Sequence, residues 1–173
     1  KAPEYLGVIV SESRRLSRLI GNVLSFAKKQ KHRPSKSIVD EEIERVLDYH
    51  RPLFANLGAD LNFIGNSKKT ALVDVDILGQ ILGNLLSNVE KYGARNGGEV
   101  KVTSESTNDR TVITVSDEGP GIPRAVREKI FQPFFRISGK ITEGVSGTGI
   151  GLSISRDLAR MHGGDLTLEP SKT

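Results

Sequence analysis

Residues 117–123 read Asp-Glu-Gly-Pro-Gly-Ile-Pro, and residues 147–152 read Gly-Thr-Gly-Ile-Gly-Leu. Upstream, residues 84–92 read Asn-Leu-Leu-Ser-Asn-Val-Glu-Lys-Tyr. An acidic residue in a glycine turn, a glycine-rich helix start and a helix with two asparagines are three parts from which a nucleotide pocket can be built. They occur in an order that one compact domain can fold together.

The acidic turn is the candidate for base recognition. Asp117 directly follows a predicted strand, and Gly119 and Gly121 have no side chains. A carboxylate there can accept a hydrogen bond from the exocyclic amine of adenine while bare backbone approaches the flat base. Guanine has a carbonyl at that ring position and would leave the acceptor unmatched. Alone, such a turn is typical of an ordinary tight loop; beside the other two segments it predicts an adenine site.

The helix with two asparagines is the candidate for metal and phosphate binding. Asn84 and Asn88 are four residues apart, so they share one helical face. An amide oxygen is a hard ligand suited to Mg²⁺, which proteins bind through few side chains plus phosphates and water. Lys91 lies one turn farther on, within reach of phosphates, and Tyr92 can cover the base or sugar. An isolated pair of asparagines would instead be typical of a solvated helix face.

The second glycine run is the candidate for holding phosphates. Glycines directly before a helix let backbone N–H groups and the helix dipole bind phosphate oxygens. A dinucleotide fingerprint would require a preceding strand and a final x-x-G, and a P-loop would require a following G-K-[ST]; the chain has neither. The residues predicted to bind the nucleotide here are Gly147, Thr148, Gly149, Gly151 and Leu152.

Composition limits the remaining function classes. The chain has 173 residues, 36% of them hydrophobic and 27% charged, which is typical of one soluble globular domain with a small appendage. Zero cysteines exclude disulfides and thiolate metal sites. No apolar run approaches the roughly 18 residues of a membrane span. The net charge of +4 suits an anionic ligand, but the basic stretch over residues 28–33 lacks the interleaved aromatics of a nucleic-acid surface.

The first 33 residues predict one long helix. Its apolar residues alternate in spacings of four and three, and the stripe is wide enough to need more than one partner helix. We expect it to pair between chains, or to have lost its partner; the alternative is an amphipathic helix folded back on its own domain. Pro34 ends the pattern, so the domain boundary is predicted between residues 1–33 and 34–173.

Shorter elements are predicted beyond this boundary. Asp40 and Asp76 are expected to cap two helices, and His162 to interact with the carbonyls that end a third. The predicted helices are 41–57, with a kink at Pro52, then 77–89, a short one near 124–130, and 148–161. The predicted strands are 37–39, 60–64, 71–73, 99–106, 110–116 and 166–168, with a loop over 93–98.

Together these residues resemble the ATP-binding domain of sensor histidine kinases, whose Bergerat fold is shared with type II topoisomerases, heat-shock chaperones and mismatch-repair ATPases. The helix at Asn84 is similar to the family's N box, and Ile130-Phe131-Gln132-Pro133-Phe134-Phe135-Arg136 is similar to its F box. The resemblance implies an α+β fold, a two-layer α/β sandwich with a mixed sheet packed on helices, preceded by a long bundle helix. It also implies ATP or ADP and Mg²⁺ as ligands.

The resemblance assigns further roles. Phe131 would anchor one end of a lid over residues 136–146, and Arg136 and Lys140 would contact the γ-phosphate. Asn84 and Lys91 would be catalytic, and Asn88 would hold Mg²⁺. The implied reaction transfers the γ-phosphoryl group of ATP to a histidine. None of the chain's three histidines has the family's acceptor context, so the acceptor is expected outside this chain.

The implied partners are a second copy, through the N-terminal helix, and a response regulator receiver domain. The expected location is the cytoplasm, with an upstream membrane anchor left open. Two alternatives also remain open. One is a nucleotide-binding scaffold or sensing module without phosphotransfer. The other is a Bergerat-fold ATPase, although such enzymes typically have a glutamate base where this chain has Asn84.

Overall fold

The computed structural model describes residues 33–67, 70–94, 97–107, 109–137 and 147–169. Nearly all of the predicted N-terminal helix lies outside these ranges, so that helix and its boundary stay predictions. The strands within them are Ser35–Ile38 (β1), Ala59–Asn66 (β2), Thr70–Val73 (β3), Gly98–Ser106 (β4) and Thr111–Asp117 (β5). The α-helices are Val39–Asn56 (α1), Val75–Asn88 (α2) and Gly151–Met161 (α3). A π-helical turn covers Val89–Gly93, and 3₁₀ turns cover Arg124–Val126 and Lys129–Phe131.

The strands form a three-stranded mixed sheet and a separate two-stranded antiparallel sheet. β2 runs parallel to β4, and β4 runs antiparallel to β5, with Val102 opposite Val115. β1 pairs antiparallel with β3. The predicted hairpin of β4 and β5 is confirmed, as is the α+β fold with a mixed sheet packed on helices.

The core lies between the sheet and helices α1 and α2. Ile43, Leu47 and Phe54 of α1 are fully buried. They share one hydrophobic cluster with residues of α2 and of the sheet, namely Leu78, Leu82, Leu86, Leu61, Val100 and Val102. Burying each such side chain contributes about 1.5–3 kcal/mol relative to leaving it exposed, so this cluster fixes α2 on the sheet.

Both predicted helix caps are wrong, for physical reasons. α1 begins one residue before Asp40, whose carboxylate instead accepts hydrogen bonds from the backbone of Ser67, at 2.9 Å, and from the hydroxyl of Ser104. The α2 cap is Asp74 rather than Asp76: its Oδ1 accepts from the N–H of Ile77 at 3.2 Å. Each predicted aspartate lies close in sequence to a helix start. In the structure, however, Asp40 is bonded to residues remote in sequence, and Asp74 takes the cap position expected for Asp76.

Other predictions are corrected in detail. α1 continues through Pro52, where the predicted kink stays a prediction, and ends before Gly58, whose φ of 69° is left-handed. On α2 the buried residues include Leu78 and Leu86, whereas Ile81 and Leu85 are half-buried. The short helix predicted near 124–130 is the two 3₁₀ turns, and residues 166–168 form no strand in the described part of the chain.

Helices α2 and α3 lie side by side and antiparallel. At one end, Nε2 of His162 accepts a hydrogen bond from the backbone N–H of Asp74 at 2.8 Å. His162 therefore accepts a hydrogen bond from the residue that caps α2, and the predicted interaction of its side chain with the carbonyls of its own helix stays a prediction. Asp74 is buried, and its Oδ2 also accepts from the backbone N–H of Arg33 at 2.6 Å. Among the described residues, no helix has the length and hydrophobicity that crossing a bilayer requires.

Candidate nucleotide site

The predicted adenine reader is the last residue of β5. Asp117 is exposed, and its Oδ1 accepts a hydrogen bond from the backbone N–H of Gly119 at 2.8 Å. This bond to the residue two places on closes a local turn and fixes the direction of the carboxylate. Gly121 has a φ of 68°, a left-handed conformation that glycine adopts without a steric penalty. The predicted glycine turn after β5 is therefore present.

The turn at Asp117 lies directly against the end of the π-helical turn. A Cβ atom added to Gly93 would lie 2.6 Å from both Cγ and Oδ1 of Asp117. A Cβ added to Gly119 would lie 2.6 Å from the Cα of Gly93. These distances are far below ordinary van der Waals contact, so the close approach requires glycine at both positions. The segment that follows the two asparagines thus reaches the strand-end carboxylate.

The π-helical turn itself was not predicted. Its defining bond runs from the N–H of Ala94 to the carbonyl of Val89, at 2.8 Å. Single π turns within helices occur frequently at functional sites. Lys91 and Tyr92 lie in this turn, so their directions differ from those of a continued α-helix. The hydroxyl oxygen of Tyr92 lies 3.6 Å from where a Cβ of Gly147 would be, which brings the asparagine segment beside the second glycine run.

Asn84 joins α2 to the first turns of α3. Its Nδ2 donates to the hydroxyl of Ser155 at 3.0 Å and to the carbonyl of Gly151 at 3.4 Å. Ser155 is completely buried. The carbonyl oxygen of the same amide lies 3.8 Å from where a Cβ of Gly151 would be, so it too lies beside the start of α3. Asn88, one turn on, is the half-buried last residue of α2.

The second glycine run ends in a helix, but later than predicted. α3 begins at Gly151 rather than Thr148, because Gly149 has a φ of 72°, which no α-helix accommodates. The hydroxyl of Thr148 accepts from the N–H of Ile150 at 3.3 Å. Leu152 follows, half-buried, in the first turn. The run therefore presents backbone directly before a helix N-terminus, as predicted.

The phenylalanine segment packs against this run. A Cβ on Gly149 would lie 2.7 Å from the carbonyl oxygen of Phe135 and 2.8 Å from the carbonyl carbon of Phe134. Phe134 has a φ of 64°, is 70% exposed, and marks a sharp backbone turn. Arg136 is exposed at the end of this segment. Lys140 and most of the predicted lid lie outside the described residues.

Several residues near the site carried no sequence signal. Ser155 and Arg156 look like ordinary polar residues of an amphipathic helix, and their partners are remote in sequence. Arg156 lies over the ring of Phe131, with Cζ 4.7 Å from the ring centroid. Hydrogen bonds from Arg156 hold the pKa of the Asp165 carboxyl far below its ordinary range.

His50 of α1 faces the π-helical turn. Burial lowers the pKa of His50 from its ordinary value of 6.5, and the carboxylate of Glu90 opposes this shift in part. Among the described residues, Nδ1 of His50 is buried without a hydrogen-bond partner. The neutral imidazole is therefore the form that the fold favours.

Three comparisons with known proteins bear on this site. Residues 73–173 match the family described as histidine kinase-, DNA gyrase B-, and HSP90-like ATPase. The sensor protein SrrB of Staphylococcus aureus is 28% identical over 170 residues, which is 96% of this chain and 29% of SrrB. The chain thus spans less than a third of the length of this curated relative.

Solved structures show the same fold. Full-length ShkA in complex with AMPPNP superimposes with a TM-score of 0.77 at 25% identity, over 92% of this chain and 34% of ShkA. The histidine kinase ThkA in complex with the response regulator protein TrrA gives a TM-score of 0.78 at 26% identity, over 97% of this chain and 47% of that one. The family match covers more than half of the chain, and the site joins the three predicted segments. The chain therefore belongs to the histidine kinase-, DNA gyrase B- and HSP90-like ATPases, as a domain of the kind that forms the ATP-binding catalytic core of sensor histidine kinases.

Proposed function

We propose that this domain binds Mg-ATP and donates its γ-phosphoryl group to a histidine of a sensor kinase. The observation that carries the proposal is that the three predicted segments meet at the C-terminal end of α2. The π-helical turn after Asn88 contacts the Asp117 turn through Gly93 and approaches Gly147 through Tyr92. Three segments far apart in sequence thus meet at one place.

Asp117 is assigned to adenine. Its Oδ1 is bonded to the backbone of Gly119, so we assign Oδ2 to the exocyclic amine of the base. Gly93 and Gly119 keep side chains away from the carboxylate. Tyr92 is placed to cover the sugar or base. A carboxylate held by its own turn loses little conformational entropy on binding, which favours recognition.

Asn88 is assigned to Mg²⁺, and the residues present fit that ion. Amide oxygens are hard ligands, and Asn84, one turn before Asn88, carries a second amide oxygen on the same helical face. When bound, Mg²⁺ neutralises charge on the phosphates. Lys91 adds a positive charge on the adjoining turn. Asn84 and Lys91 are the residues we assign to transition-state stabilisation by position and charge.

The glycine run is assigned to the phosphates. Gly147, Thr148 and Gly149 precede the N-terminus of α3, where N–H groups and the helix dipole favour anions. Gly151 and Leu152 form the helix start itself. Arg136 is assigned to the γ-phosphate. The group's transfer then depends on orientation and electrostatics rather than on covalent chemistry of the protein.

The receiving histidine is assigned to another segment of a longer protein. Nε2 of His162 is bonded to the backbone of Asp74, and Nδ1 of His50 is buried. His32 lies outside the described residues. In such a kinase the N-terminal helix would mediate dimerisation, and the domain would act in the cytoplasm. The phosphoryl group would pass to a receiver domain in a second step.

Calorimetry with Mg-ATP and Mg-ADP tests the binding step. We expect Asp117→Ala to abolish adenylate binding, and Asn88→Ala to bind nucleotide with an affinity that no longer depends on Mg²⁺. Folded protein that binds no adenylate at millimolar concentration would contradict the proposal.

The transfer step needs a second experiment. A hairpin containing an acceptor histidine, supplied with the domain and labelled ATP, should acquire phosphate that is stable to base and labile to acid. The domain alone should acquire none. Steady hydrolysis of ATP without any acceptor would instead indicate an ATPase that uses the same pocket.

A further inference from the structure

The guanidinium of Arg156 is held between a ring and a carboxylate. Its Cζ lies 4.7 Å from the centroid of Phe131. Nε and Nη2 donate to the two carboxylate oxygens of Asp165, at 2.9 and 3.1 Å. Such a fork fixes the plane of the guanidinium and therefore its position over the ring.

Asp165 is itself fixed in place. Its Oδ1 also accepts from the backbone N–H of Leu166 at 2.9 Å and from Nε of Arg160 at 3.2 Å. Side-chain exposure is 28% for Arg156 and 38% for Asp165, so the pair is partly shielded from water. The carboxylate is therefore a stable support for the guanidinium.

Phe131 leads directly to the phosphate-binding run. The N–H of Gln132 closes the 3₁₀ turn on Lys129 at 2.9 Å, and the N–H of Phe135 bonds to the carbonyl of Gln132 at 3.2 Å. These bonds make the segment from Phe131 to Phe135 a compact turn. Its far end meets Gly149, where a Cβ would lie 2.7 Å from the Phe135 carbonyl oxygen. A shift of the ring therefore moves backbone that touches the glycine run.

We propose that Arg156 is a positioning residue for the nucleotide phosphates: it holds Phe131 against α3, and through that turn it sets the backbone of Gly149. This rests on the proposed role of the glycine run. In this role Arg156 acts on the phosphates through other residues and does not contact them itself. Lysine would retain the charge but not the planar fork that fixes the guanidinium over the ring.

The test compares two ligands on matched variants. Arg156→Gln and Arg160→Gln remove the same charge from the same helix. The first loses two hydrogen bonds to Asp165 and the second loses one, and Arg160 lies one turn farther along α3. We expect Arg156→Gln to bind Mg-AMPPNP about tenfold more weakly while adenosine binding is unchanged. Arg156→Lys should fall between, and Arg160→Gln should match wild type for both ligands. A general loss of folding would weaken both ligands equally.

A second variant keeps the proposal testable if Arg156→Gln fails to fold. Phe131→Leu removes the ring, should weaken AMPPNP binding to a similar extent, and in combination with Arg156→Gln should cause no further loss. Unchanged AMPPNP affinity in either single variant, or strictly additive losses, would overturn the proposal. Absence of adenylate binding to wild type would instead refute the proposed function, so the two failures are distinguishable.

Discussion

Gly93→Ala is the substitution that most sharply distinguishes an effect on nucleotide binding from an effect on the stability of the fold. The new Cβ would lie 2.6 Å from Cγ and Oδ1 of Asp117 and 2.9 Å from its Cβ. Ordinary carbon contacts are about 3.5–4.0 Å, so the aspartate must move by roughly 1 Å. Because the clash includes the Cβ of Asp117, rotation of the carboxylate alone cannot relieve it.

The expected cost falls on nucleotide recognition. A hydrogen bond to a charged group contributes about 1.5–3 kcal/mol, and its loss corresponds to roughly a ten- to hundredfold weaker Kd. Overpacking adds a cost in unfolding free energy of about 1–3 kcal/mol. Calorimetric titration with Mg-ADP measures the first quantity, and urea unfolding measures the second.

Gly83→Ala is the matched control. Gly83 lies on α2, and among the described residues no heavy atom other than those of its chain neighbours and of the backbone of its own helix is within 4 Å of the added Cβ. Alanine in a helix interior should raise the unfolding free energy by about 0.5–1 kcal/mol, with Kd unchanged. Wild-type affinity for Mg-ADP in Gly93→Ala would refute the assignment of Asp117 to adenine, because the clash makes displacement of that carboxylate unavoidable.

Three further predictions concern stability. Asp74→Ala should lower the unfolding free energy by about 2 kcal/mol, because a helix cap is lost, whereas Asp76→Ala should change it by less than about 0.5 kcal/mol; urea titration distinguishes the two. Ser155→Ala should cost about 1–3 kcal/mol, because the amide of Asn84 loses its buried acceptor; an unchanged denaturation midpoint would contradict this. The lowered pKa of His50 means that the unfolded chain binds a proton more readily, so stability should fall as pH drops below 6.5. The difference in stability between wild type and His50→Gln, followed from pH 8 downward, should show this slope, and a flat difference would count against it.

Local patterns were predictable from sequence. The hairpin of β4 and β5 follows from two alternating strands around a polar turn, and its register keeps Val102 and Val115 opposite each other. The turn at Asp117 and the glycine run before α3 follow from residues adjacent in sequence. In each case the signal and the structure lie within a few residues.

What could not be predicted depends on contacts remote in sequence. Asp40 is a good cap by propensity, but its bonding partners Ser67 and Ser104 are 27 and 64 residues away in sequence. The predicted strand over 166–168 has a suitable pattern, yet Asp165 before it is bound to Arg156 and Arg160. The π-helical turn likewise has no known local pattern here, and it is the element that directs Lys91 and Tyr92.

The antiparallel helices α2 and α3 are joined by hydrogen bonds at two points, and these bonds limit where residues can be inserted or deleted. Asp74 and Asn84 on one helix match His162 and Ser155 on the other. An α-helix rises by about 1.5 Å and rotates by about 100° per residue. Deleting one residue between Asp74 and Asn84, or between Ser155 and His162, would therefore turn one of the bonded residues out of reach of its partner. We therefore expect insertions and deletions to be tolerated outside these two intervals, and homologous chains to keep the spacing within them even where the side chains between have diverged.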